Sequence, residues 1–135
     1  MRFLAIAGLL AVVAVALAPQ WTASATIRYG DDNPGLNQWT TIQKAINNAT
    51  DGDTIYIFAG TYTESVIVNK TLNVQGESRN STIVDPLIGS GLTIQANNVN
   101  LSSFAVTGAL YGVTISSPYV NLVIDSLTFE QNTRG

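Results

Sequence analysis

Gly91-Leu92-Thr93-Ile94-Gln95-Ala96-Asn97-Asn98-Val99-Asn100-Leu101 recurs, at a spacing of 21, as Gly112-Val113-Thr114-Ile115-Ser116-Ser117-Pro118-Tyr119-Val120-Asn121-Leu122. Apolar residues alternate with small polar ones in both copies, the period of a strand. A repeat this short cannot enclose a core of its own. It has to stack on copies of itself, which makes a solenoid. The register predicted from the repeat pairs Leu92 with Val113, Ile94 with Ile115, Val99 with Val120 and Leu101 with Leu122. Phe104 then pairs with Leu127 and Val106 with Phe129 at a spacing of 23, with a two-residue insertion in the turn between. Leu72 and Val74 extend the Leu92–Ile94 column backwards.

The rest of the chain after Gly52 carries the same short-strand pattern. Ile55 to Phe58, Val66 to Val68, Leu72 to Val74, Thr82 to Val84, Leu92 to Ile94, Val99 to Leu101, Phe104 to Val106, Val113 to Ile115, Val120 to Leu122 and Leu127 to Phe129 are each separated by Gly, Asn, Ser, Asp or Pro. The expected rung has three strands and three turns at a repeat of 21–23, rising about 4.8 Å per rung. Leu92, Ile94, Val99, Leu101, Phe104 and Val106 face inward; Thr93, Asn100 and Ala105 face outward. Asn100 and Asn121 are expected to form a short amide ladder.

Before this region the period is helical. Ile42, Ala45, Ile46 and Ala49 recur at i, i+3, i+4 and i+7. A helix over 40–49 is predicted, with Thr40 as N-cap and Gln43 closing a capping box. Gly52 ends it in a left-handed conformation. The helix lies over the first rung, because an open solenoid end needs a cap. Residues 26–38 are expected to be irregular, with a turn-forming cluster at Gly30-Asp31-Asp32-Asn33-Pro34-Gly35.

Residues 1–25 stand apart. Met1-Arg2 precedes an apolar run from Phe3 to Ala18, and Ala23-Ser24-Ala25 is a cleavage signature, so 1–25 is expected to be a secretory signal. A retained anchor and a buried first helix are the alternatives. The domain plan is therefore 1–25 signal, 26–53 N-terminal segment with its helix, and 54–135 rungs. Gly135 falls where Gly112 recurs, so the chain is expected to be the N-terminal piece of a longer protein, with an uncapped last rung able to self-associate.

Composition narrows the chemistry. The net charge is −3, and it becomes more negative once Arg2 is removed, which argues against nucleic acid as a partner. There is no cysteine and no histidine. Disulfides are absent from this exported protein, and the commonest general base and transition-metal ligand are missing. Any metal would be a hard cation held by oxygens, calcium above all, on Asp85, Asp125 or Glu130; no other cofactor is expected. These three do not share a column at the predicted spacings and are expected to be solvated turn acids. Gly60-Thr61-Tyr62-Thr63-Glu64 is the sharpest local motif, expected as a turn with Tyr62 over the edge and Gly60 at positive φ. Glu64 has no matched second carboxylate for glycoside cleavage.

Two further sets of candidates come from the surface. Asn48, Asn69, Asn80 and Asn100 begin Asn-x-Ser/Thr sequons, with Asn69 and Asn80 placed in turns. Tyr56, Tyr62, Tyr111 and Tyr119 are candidate glycan contacts, since sugar rings stack on aromatic faces.

The stretch from Trp39 to Asp85 carries a family pattern. Thr41-Ile42-Gln43-Lys44-Ala45-Ile46, Asp51-Gly52-Asp53-Thr54-Ile55-Tyr56-Ile57, Gly60-Thr61-Tyr62-Thr63-Glu64 and Val68-Asn69-Lys70-Thr71-Leu72-Asn73-Val74-Gln75-Gly76 resemble the opening of right-handed parallel β-helix proteins of the pectin-lyase-like superfamily. Asn98 to Gly108 is similar to their repeat. The resemblance implies an all-β, right-handed parallel β-helix. Leu92 to Thr107 is closer to the exported envelope proteins of methanogenic archaea and some bacteria than to the pectin methylesterase-like branch. Relatives of the periplasmic copper-binding accessory family fall in the first group, but a copper role is disfavoured without His or Cys. Leu127 to Gly135 faintly echoes the esterase segment Phe-x-Asn-Thr-x-Gly, with one residue extra; the esterase catalytic residues lie beyond it, so no catalytic residue is assigned. The expected function is a non-catalytic secreted or cell-envelope module binding polysaccharide or surface proteins, with membrane contact only through an uncleaved signal. The alternative is the N-terminal part of a pectin methylesterase-like or polysaccharide lyase-like enzyme.

Overall fold

The computed structural model describes residues 27–30 and 39–133. The proposed signal at 1–25 and the turn cluster at 31–35 lie outside the described residues. In chain order the elements are β1 (Ile27–Gly30), α1 (Ile42–Asn48), β2 (Thr54–Ile57), β3 (Gly60–Tyr62), β4 (Val66–Val68), β5 (Asn73–Gly76), β6 (Thr82–Val84), β7 (Ser90–Ile94), β8 (Asn100–Ser102), β9 (Ala105–Thr107), β10 (Tyr111–Ile115), β11 (Val123–Asp125) and β12 (Thr128–Glu130). They form three sheets: β1-β2-β5-β8-β11 (sheet 1), β10-β7-β4 (sheet 2) and β12-β9-β6-β3 (sheet 3). Pairing among the described strands is parallel throughout. This is a β-solenoid of about four turns, as the repeat required.

Inward side chains stack in files. Ile55, Val74 and Leu101 form one file, Val68 and Ile94 another, and Tyr62, Val84 and Val106 a third. Each member is at most 3% exposed. Burying one such side chain contributes about 1.5–3 kcal/mol. No rung has enough of them to stand alone. The six residues expected inward between Leu92 and Val106 are all buried. Ala105, expected outward, is buried too, since its Cβ is too small to rise above its neighbours Ile83 and Thr128.

The register differs from expectation in two places. Val113 lies opposite Leu92 and Ile115 opposite Ile94 at a spacing of 21, as predicted. From β11 onward the spacing is 23: Val123 faces Asn100 and Ile124 faces Leu101. The two-residue insertion therefore sits in the turn at 116–119, before Asn121 rather than after Leu122. Val120, expected beneath Val99, is exposed, and Leu122 packs against the core instead. Earlier in the chain, Val66 and Val68 hold the column of Leu92 and Ile94, while Val74 sits under Leu101. Turn length is thus not uniform. Thr54 pairs with Asn73 at a spacing of 19 and Asn73 with Asn100 at a spacing of 27, in place of the expected 21–23. The ladder fixes the strands, while the turns between them vary.

Corners are made by single left-handed residues. Asn98 and Asn121 turn the chain into sheet 1, Ser103 and Ser126 turn it into sheet 3, and Gly108 and Gln131 turn it out of sheet 3. Each pair is one rung apart. One residue at positive φ redirects the strand without a loop, and Asn accepts that conformation more readily than most. The amide ladder therefore forms at the corner: Asn121 Nδ2 donates to Asn98 Oδ1 at 2.8 Å. Asn100, expected in that ladder, faces Asn73 instead.

The N-terminal side carries the helix. α1 begins at Ile42 with Thr41, not Thr40, as N-cap; the Thr41 hydroxyl accepts from the Lys44 N–H. Ile42, Ala45, Ile46 and Ala49 face the core and are buried, as their spacing predicted. Gln43 does not close a capping box. Its Oε1 accepts from the Ile67 N–H at 2.7 Å, and its Nε2 donates to the Ile67 carbonyl at 3.2 Å. β4 is the edge of sheet 2, and the Gln43 amide occupies the place a peptide of the next strand would take. Residues Ile27 to Gly30, expected as irregular, form a strand because β2 offers them an open parallel edge.

Candidate functional site

Alternation on sheet 1 puts one set of side chains outside. Register aligns Thr54, Asn73 and Asn100 in one outward file, and Tyr56, Gln75, Ser102 and Asp125 in a second. Successive members stand one rung apart, about 4.8 Å. In the first file Asn73 Nδ2 donates to Thr54 Oγ1 at 3.4 Å. Among the described residues the Oδ1 atoms of Asn73 and Asn100 are enclosed without a hydrogen-bond partner. In the second file Gln75, Ser102 and Asp125 make no side-chain hydrogen bond among the described residues. Tyr56 precedes them in that file, held edge-on against Phe58 with ring centroids 5.3 Å apart and planes at 77°. That contact fixes the ring orientation. No lysine or arginine belongs to β2, β5, β8 or β11. On β1, Arg28 takes the register position of Ile55, and Tyr29 that of Tyr56.

The other tyrosine candidates go elsewhere. Tyr62 is buried, and its hydroxyl donates to the Phe58 carbonyl at 3.0 Å. Tyr111 is exposed on β10 in sheet 2, and Tyr119 lies half-buried in the following turn. Of the four candidates, only Tyr56 stands on the polar face of sheet 1.

The acidic candidates are also dispersed. Asp85 Oδ1 accepts from the Leu87 N–H, as a turn residue does. Asp125 is on sheet 1, and Glu130 ends β12 on sheet 3. Among the described residues no three carboxylates come together to hold a cation. Glu64 takes a part that the sequence did not disclose. Its Oε1 accepts from the Ile42 N–H at 2.7 Å and its Oε2 from the Gln43 N–H at 3.0 Å. At the other end of α1, Lys70 Nζ donates to the carbonyls of Ile46 and Asn47 at 2.9 Å and of Ala49 at 2.7 Å. The two charges flank β4 and grip the helix with the sign its dipole favours at each end. Gly60, expected at positive φ, lies within β3; the left-handed glycines among the described residues are Gly52, Gly89 and Gly108.

Three sequon asparagines, Asn48, Asn69 and Asn80, are exposed. Asn48 Nδ2 donates to the Lys44 carbonyl. Asn100 is half-buried within β8. An apolar corner completes the outer surface. Leu87 and Ile88 are 69% and 81% exposed, and Leu110 and Tyr111 lie beneath them, tied by N–H donation to the Gly89 carbonyl.

The chain is 38% identical over 79 residues to a protein named cell surface glycoprotein from Methanothermus fervidus. The match covers 56% of this chain and 13% of that protein's length. No protein-family model matches the chain, and no solved structure does. No helix among the described residues is long and apolar enough to cross a membrane.

Proposed function

We propose that this chain is a non-catalytic module of a secreted or cell-surface protein that binds glycans through an outer wall of its solenoid. One observation carries the reading: the second outward file of sheet 1 sets an oriented aromatic ring beside polar side chains left unbonded among the described residues. Aromatic faces with adjacent amides, hydroxyls and carboxylates are the chemistry that recognises sugars. The similarity to a cell surface glycoprotein supports the location. Asn69 and Asn80, exposed in turns, are the sequons we assign to glycan attachment, which intact mass before and after chemical deglycosylation checks. The binding reading is tested by applying the whole chain to an array of plant, fungal and prokaryotic wall glycans. Retention on a defined subset supports it. No retention on any glycan removes carbohydrate binding and leaves surface proteins as the partner class.

A further inference from the structure

From the geometry of sheet 1 we infer that the ligand is a neutral, extended oligosaccharide lying parallel to the solenoid axis along the Tyr56–Gln75–Ser102–Asp125 file. This rests on the glycan reading above and specifies where and what kind of glycan binds. Three observations converge on it.

The first is the repeat. Parallel ladders place the four residues at one register position on successive strands, so polar groups recur about every 4.8 Å. An extended chain of equatorially linked pyranoses advances by a similar step per ring. Each sugar then meets one rung, and the match persists along the wall. A chain crossing the wall sideways would leave it after one short strand.

The second is the order of groups. Tyr56, held edge-on against Phe58, sets an aromatic ring beside Gln75 in the file. Below it, Gln75 both donates and accepts, the Ser102 hydroxyl does the same, and Asp125 accepts from paired hydroxyls. Among the described residues these three side chains have no other bond to break when a ligand arrives.

The third is charge. The four strands carry no cation, and Asp125 is an exposed acid. A uronate or sulfated glycan would meet a carboxylate with nothing on those strands to offset it. Hydroxyl and acetamido groups meet no such penalty.

The test is calorimetric titration of the whole chain with cellohexaose, chitohexaose and polygalacturonate, alongside Tyr56→Ala, Gln75→Ala, Ser102→Ala and Asp125→Asn. Thr61→Ala and Thr107→Ala, both on sheet 3, serve as controls, and circular dichroism confirms that each variant folds. We expect a neutral hexamer to bind, and Tyr56→Ala or Gln75→Ala to weaken that binding tenfold or more. The controls keep wild-type affinity. Should Tyr56→Ala not fold, the outward Gln75→Ala and Ser102→Ala carry the test. Binding that all four variants leave intact overturns the location while sparing the glycan reading. Binding of polygalacturonate in preference to both neutral hexamers overturns the charge argument. Binding of no glycan at all defeats this inference and the reading beneath it together.

Discussion

Replacing Glu64 with Ala should unfasten α1 from the end of the solenoid. The helix, Ile42–Asn48, is too short to persist in water by itself. Two of its first N–H groups, Ile42 and Gln43, have Glu64 as acceptor. Hydrogen bonds to a charged group contribute about 1.5–3 kcal/mol each. Glu64 is only half-buried, so water competes and the lower end applies to both. Loss of the favourable charge at the helix N-terminus adds a few tenths of a kcal/mol. The total is about 3 kcal/mol. A stacked architecture frays from its ends, so the loss should appear locally rather than as one shift of the whole melt. The Ile67 N–H reports it directly, because its acceptor is Gln43 on α1. Hydrogen exchange should accelerate about 100-fold at Ile67, equivalent to about 3 kcal/mol of easier opening. Amides of β7 to β9 should keep their protection. Glu64→Gln, which keeps an acceptor oxygen, should lie between. Exchange at Ile67 unchanged within threefold in Glu64→Ala, or loss of protection spread evenly through the rungs, would refute the clamp.

Other substitutions test the backbone and the files. Leu87 sits at φ 60° with its side chain 69% exposed, so Leu87→Gly should relieve strain and raise stability by about 1 kcal/mol, read by urea denaturation. Gly91 has no such slack. A Cβ there would overlap Val106 Cγ1 and lie 2.7 Å from the Gly112 carbonyl oxygen, so Gly91→Ala should cost about 3 kcal/mol in the same assay. Asn100 holds an enclosed Oδ1 with no partner; Asn100→Val removes that atom from a strand and should stabilise by about 1 kcal/mol, measured as a higher denaturation midpoint.

Much of the fold was legible in the chain because the governing signal was local. Alternation from Leu92 to Val106 named the inward residues, and a spacing of 21 named the partners of Leu92 and Ile94. What escaped the sequence depends on positions settled by neighbours. Val120 and Leu122 both suit a core, and only the turn at 116–119 decides between them. Ser103 and Ser126 hold corners that serine does not advertise, because the ladder on either side enforces the turn. Gln43 looked like half of a capping box, yet an edge strand offered it a better partner. Glu64 and Lys70 act on a helix far upstream of them, across a separation that no periodicity encodes. The polar wall depends on the β5–β8 register, whereas the repeat spacing aligns Leu72 and Val74 with Leu92 and Ile94, one column away.

Unequal corners have an evolutionary consequence. Spacings of 19 and of 27 coexist in neighbouring layers without disturbing the walls they join. Insertions and deletions at a bend are therefore absorbed where they occur. A lineage is free to lengthen, shorten or redecorate what it shows to the outside world while the interior stays solved.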